Sequence, residues 1–140
     1  MDRDQAVARL GSARVGRLAS VRPDGRPHVV PFVFALVDED EGFRIYWAVD
    51  HKRKRSADVQ RLRNLAANPA VELVVDGFDD DWDRLWWVRA SGTSRTVEDP
   101  DERARGLEAL GGKYRQYAER PPEGEMIVID VAEITGWEAV

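Results

Sequence analysis

Apolar positions along the chain fall mostly into short β-type runs, with three helical stretches between them and turn residues at the joints. Over residues 2–13, Ala6, Val7 and Leu10 form a helical stripe that Gly11 can end. Residues 15–21 read as a strand, and Arg22-Pro23-Asp24-Gly25 as a turn, with Pro pre-setting φ and Gly free to adopt positive φ. Residues 28–37 are apolar almost throughout, which predicts one long strand buried on both faces. Pro31 inside that run has no N–H to donate, so it marks a bulge, an edge or a docking point. The acidic run Asp38-Glu39-Asp40-Glu41 before Gly42 reads as a solvated hairpin tip, and 43–49 as the next strand.

Further along, Val59, Leu62 and Leu65 set one face of a helix over 57–67, capped by Ser56 and stopped at Asn68-Pro69. Residues 71–75 form a strand, and 85–97 a long one with Gly92 at a bulge. Asp99-Pro100-Asp101-Glu102 is a helix start with Asp at the cap, Pro in the first turn and Glu at capping-box spacing. Leu107, Leu110, Tyr114 and Tyr117 give its buried stripe, with Gly111-Gly112 as a point of fracture. A last strand covers 126–131, with Trp137 close behind. The pattern predicts a mainly β fold: a six-stranded antiparallel barrel whose gaps are covered by short helices. Strands and helices do not alternate regularly, which argues against a doubly wound parallel sheet.

Composition narrows the chemistry. At 140 residues the chain has room for one domain, spanning 1–140. Lys plus Arg is 21 against 26 Asp plus Glu, a net charge of -5, so neither nucleic acid nor an anionic membrane is an expected partner. There is no cysteine, hence no disulfide, thiolate metal site or thiol nucleophile. No run is long enough to span a bilayer and the polar start is unlike a signal peptide, so the expected location is the cytoplasm. His28 and His51 have no zinc-motif spacing, and the serines sit in no nucleophile elbow. No metal site is expected, and reactive chemistry would fall to a cofactor.

Two features point to one. His51-Lys52-Arg53-Lys54-Arg55-Ser56 puts four consecutive cations just before a helix N-terminus, where the helix dipole is already positive. A bound phosphate would turn that repulsion into attraction and use the free N–H groups. The bland alternative is a solvated basic loop, neutralised by Asp58 or by acidic runs elsewhere. Five tryptophans, at 47, 82, 86, 87 and 137, exceed what a small barrel easily buries, so at least one is expected to meet a partner chain or a planar ligand.

These residues resemble a known family. The resembling pieces are Asp24-Gly25-Arg26-Pro27-His28-Val29-Val30-Pro31, Arg61-Leu62-Arg63-Asn64-Leu65-Ala66-Ala67-Asn68-Pro69, Leu73-Val74-Val75-Asp76, Asp80-Asp81-Trp82, Leu85-Trp86-Trp87-Val88-Arg89-Ala90 with Gly92, and Arg120-Pro121-Pro122. In order and spacing they are similar to the pyridoxamine 5'-phosphate oxidase-like split-barrel superfamily, in its branch that uses the deazaflavin coenzyme F420. The resemblance implies a split β-barrel homodimer with two cofactor sites at the subunit interface. It implies phosphate binding by Lys52, Arg53, Lys54 and Arg55, with the register open by a residue or two, and a glutamate tail near Arg61 or Arg63. It places the cofactor ring between His28, Val29, Val30 and Pro31 on one strand and Trp47, Ala48 and Val49 on another, closed by Trp86 or Trp87 of a partner. The implied reaction is hydride transfer between deazaflavin and an electron-poor small organic acceptor, with the proton from solvent, His28 or Arg26. Three alternatives stay open: FMN in place of F420, giving an oxidase or flavin reductase; a non-catalytic flavin or deazaflavin carrier; and an interaction domain without cofactor.

Overall fold

A computed structural model describes residues 1–49 and 56–140, with backbone alone at 56–58. The elements are α1 (Arg3–Ser12), β1 (Gly16–Val21), β2 (Pro27–Phe32), β3 (Ala35–Glu39), β4 (Gly42–Ala48), α2 (Ser56–Ala67), β5 (Ala70–Gly77), β6 (Trp86–Thr96), α3 (Pro100–Lys113), α4 (Arg115–Glu119) and β7 (Met126–Glu138). Among the described residues the strands form one sheet, ordered β2-β1-β5-β6-β7-β4-β3, and each neighbouring pair is antiparallel. No helix of the described residues is long and apolar enough to cross a membrane.

The sheet has seven strands, not six, because the expected strand over 28–37 is two strands broken at Val33 and Phe34. The break has a tertiary cause. The Tyr114 hydroxyl accepts the Phe34 N–H at 3.2 Å and lies within donating reach of the Arg14 and Phe34 carbonyls, at 2.9 and 3.1 Å. Phe34 is thereby turned into the core and its backbone is withdrawn from any ladder. β2 and β3 become the two edges of the sheet, joined in sequence but not paired. Phe32 stacks on Phe34 with 5.0 Å between ring centroids and meets the Trp47 edge at 6.2 Å, which draws the two edges together around an aromatic seam.

β2 is not buried on both faces: Val29 is 60% exposed, and Pro31 sits on an edge strand where its missing N–H costs no ladder bond. Two-sided burial falls instead on β4 and β7. Ile45, Trp47, Ile127 and Ile129 point into a core shared with Leu18, Phe34, Leu73 and Val88, while Tyr46, Met126 and Val128 point into a second core under Leu110 of α3. Gly92 marks the predicted bulge, where β6 shifts register against β7 and a Cβ would run into the Asp130 carbonyl oxygen. Asp99 caps α3 by accepting the Asp101 N–H at 3.0 Å. Glu102 does not close a capping box; its carboxylate turns to the sheet. Gly111 and Gly112 do not fracture α3, which runs on to Lys113. The last strand extends well past Val131 and takes in Trp137.

Candidate functional site

The site is built where β2, β4 and α2 meet. Gly25 adopts φ +90° and its N–H donates to the Arg22 carbonyl at 2.8 Å, which turns β1 back into β2. His28 follows on β2, opposite Ser20 of β1. It is half-buried, and its Nδ1 is shielded from solvent with no hydrogen-bond partner among the described residues. Burial, then the charges of Arg22 and Arg61, pushes its pKa below the ordinary value, so the imidazole is neutral at pH 7.

α2 presents a mixed face to the barrel. Leu62 and Leu65 pack on the core, and Arg61 and Asn64 lie buried beside them. The Asn64 side-chain amide donates to the Ser20 hydroxyl at 3.0 Å and accepts from the Gln60 amide at 2.7 Å. The Arg61 guanidinium, 8% exposed, lies over the Trp47 indole at 4.6 Å from the ring. Trp47 is 1% exposed, and its Nε1–H finds no acceptor among the described residues. A buried indole N–H usually has a partner. Two ring nitrogens near one buried cation thus have no hydrogen-bond partner among the described residues.

The expected site residues divide by location. His28, Trp47 and Arg61 come together, with Val30 half-buried on the same side of β2 as His28. Val29 and Pro31 lie on the exposed face of that edge strand. Ala48 is half-buried at the end of β4, and the buried Val49 donates its N–H to the Glu125 carbonyl at 2.9 Å. Arg26 is exposed and paired with Asp24 at 3.0 Å, and Arg63 is exposed. Trp86 and Trp87 are not beside Trp47 within the chain. Trp86 pairs with Glu138 at one end of the β6–β7 ladder, whereas Ile127, the partner of Trp47, pairs with Thr96 at the other. Trp86 lies under the Arg9 guanidinium at 4.7 Å and Trp87 beside Arg89 at 5.3 Å. His51, Lys52, Arg53, Lys54 and Arg55 lie outside the described residues. Ser20, Gln60 and Asn64 escaped the sequence reading. The available signal was Asn64 at helical spacing from Gln60 and Arg61, next to the apolar Leu65.

The donor set fits a phosphate-bearing cofactor with a flat, carbonyl-rich ring system: an orphaned indole N–H, a neutral imidazole and a buried guanidinium. An open hollow of about 480 Å³ lies on β1, β2, β5 and β6, lined by Ala19, Val21, Pro27, Ala70 and Thr93.

Comparison with known proteins agrees with this architecture. A conserved hypothetical protein of Mycobacterium tuberculosis superposes with a TM-score of 0.78 at 22% identity, covering 99% of this chain and 86% of its own. An FAD-binding protein of Mesorhizobium loti gives 0.74 at 21% identity, covering 100% and 96%. The FAD-binding protein of Mycobacterium smegmatis gives 0.66 at 20%, covering 99% and 97%. No curated protein matches the chain in sequence. Residues 3–138, nearly the whole barrel with its helices, match the pyridoxamine 5'-phosphate oxidase family, and the chain belongs to that family.

Proposed function

We propose that this protein is an oxidoreductase that holds a phosphate-bearing three-ring cofactor against β2 and β4, and reduces or oxidises an electron-poor small organic molecule. The observation that carries the reading is the pair of orphaned ring nitrogens, His28 Nδ1 and Trp47 Nε1, next to the buried cation of Arg61. Trp47 N–H would donate to the cofactor, and Arg61 would favour its negative charge. His28, held neutral, would accept or relay a proton and not act as a standing imidazolium donor. When bound, the cofactor supplies two-electron transfer; the chain supplies orientation and exclusion of water.

The resemblance in sequence puts forward coenzyme F420, and the FAD-binding proteins of similar fold favour a flavin. Arg61, together with the basic segment Lys52, Arg53, Lys54 and Arg55, would take the phosphate in either case. A homodimer with the site at its interface would bring Trp86 or Trp87 of the second copy to the ring.

Titration of the purified protein with F420, FAD and FMN, each followed by tryptophan quenching and cofactor anisotropy, tests this. Micromolar or tighter binding of one of them is expected, and the preferred cofactor decides between deazaflavin and flavin. If none binds, the site is a structural seam and the enzyme reading falls.

A further inference from the structure

The seam between α2 and β1 is polar where an apolar contact would be simpler. Asn64 is fully buried on a helix whose Leu62 and Leu65 pack against the barrel core, and Ser20 of β1 is nearly as buried. A leucine at position 64 would fill that seam without burying an amide. The amide is satisfied only in one arrangement, with Gln60 donating to it at 2.7 Å and Asn64 donating to the Ser20 hydroxyl at 3.0 Å. Directional bonds of this kind fix the rotation of α2 about its axis and its slide along β1, which apolar packing leaves loose.

Two members of the site depend on that setting. Arg61 lies three residues before Asn64, one helical turn away, and rests on the Trp47 indole at 4.6 Å. Ser20, at the other end of the bond, is the strand partner of His28. One buried hydrogen bond therefore ties α2 to the strand pair that carries the imidazole.

We infer that Ser20 and Asn64 are positioning residues of the cofactor site, whose hydrogen bond holds the Arg61 cation over Trp47 and beside His28 so that it meets an anionic cofactor already oriented. This rests on the cofactor reading above. It predicts that the bond serves binding more than folding, since replacing both partners by apolar groups leaves neither Ser20 nor Asn64 with an orphan.

The test is a double-mutant cycle of Ser20→Ala, Asn64→Leu and the two together, with dissociation constants for FMN and for riboflavin, which lacks the phosphate. If wild type takes F420 in place of FMN, F420 and its phosphate-free deazaflavin form the matched pair. The double variant is expected to melt close to wild type, to bind the phosphate-bearing cofactor about tenfold more weakly, and to bind the phosphate-free one nearly as before. Each single substitution should cost about as much as both, because either one breaks the same bond. Unchanged binding in the folded double variant, additive losses, or equal losses for both members of the pair would overturn the inference. Should Asn64→Leu fail to fold, Ser20→Ala alone carries the test, since it removes only a hydroxyl. Wild-type protein that binds neither cofactor pair would defeat the cofactor reading itself, a result distinct from the others.

Discussion

Around Glu102 every charged group has its partner, whereas around Arg61 two ring nitrogens have none among the described residues. Glu102 Oε1 accepts from Arg95 Nη1 at 2.7 Å, and its Oε2 accepts from Arg95 Nη2 at 2.9 Å, Tyr46 at 3.1 Å and Arg44 at 3.3 Å. Asp130 completes the cluster, accepting from Arg95 Nε at 2.9 Å and meeting Arg44 Nε at 3.3 Å. The Arg95 hydrogen bonds hold the Glu102 carboxyl below its usual pKa, with Tyr46 and Arg44 adding to them. Burial raises the Tyr46 phenol, which stays protonated and donates. The cluster bolts α3 to β4, β6 and β7. At the seam of α2 and β1 Asn64 is bonded to Ser20, while His28 Nδ1 and Trp47 Nε1 beside it have no hydrogen-bond partner among the described residues. Charge alone did not separate the two regions; hydrogen-bond satisfaction did.

The sharpest way to break this contrast is to remove Glu102. Glu102→Ala leaves the Arg44 and Arg95 cations without their buried carboxylate, and should destabilise the fold by about 3 kcal/mol. Calorimetry should then show a fall in Tm of roughly 10 °C. Because the carboxyl pKa is depressed in the fold, its contribution is present above the ordinary value of 4.5 and lost as pH falls through the folded one, so acid unfolding of the variant should be flatter in that window. Little loss of stability would mean that the cluster is ornament on a fold held by packing.

A smaller effect of opposite kind is expected at the site. His28→Phe removes an orphaned polar nitrogen and keeps a flat ring, so stability should hold or rise by up to about 1 kcal/mol while cofactor affinity falls about fivefold. A variant that unfolds more easily yet binds as before would reverse the assignment of roles.

The smallest effect concerns Lys113, which stands between the two cases. Its Nζ donates to the Phe34 carbonyl at 2.8 Å and lies over the Phe34 ring at 4.0 Å, but burial pushes its pKa down to about 8. The folded state therefore binds fewer protons than the unfolded chain between about pH 8 and 10.5, and stability should rise with pH across that window. Lys113→Met should flatten the rise, as read from urea midpoints at successive pH values.

Much of the fold was legible because its causes are local. Asp99 and Pro100 start α3, Gly25 turns β1 into β2, and Gly92 marks the bulge, each through backbone constraints of one or two residues. The missed strand break at Val33 and Phe34 depends on a tyrosine 80 residues away, which no local pattern contains. Glu102 had the spacing of a capping box, but two arginines and a tyrosine from other strands outbid the helix end for its carboxylate. At the site, His28, Trp47 and Arg61 were among the residues that the resemblance named, while Ser20 and Asn64, 44 residues apart, were not.

By itself the sequence determined the strand and helix periods, the turns and the residue types available for chemistry, because these follow from short-range sterics, hydrophobic alternation and composition. Only the tertiary structure decided which polar groups are satisfied. That property belongs to pairs of residues far apart in the chain, and it separates the cluster that bolts α3 to the sheet from the seam where two ring nitrogens have no partner among the described residues.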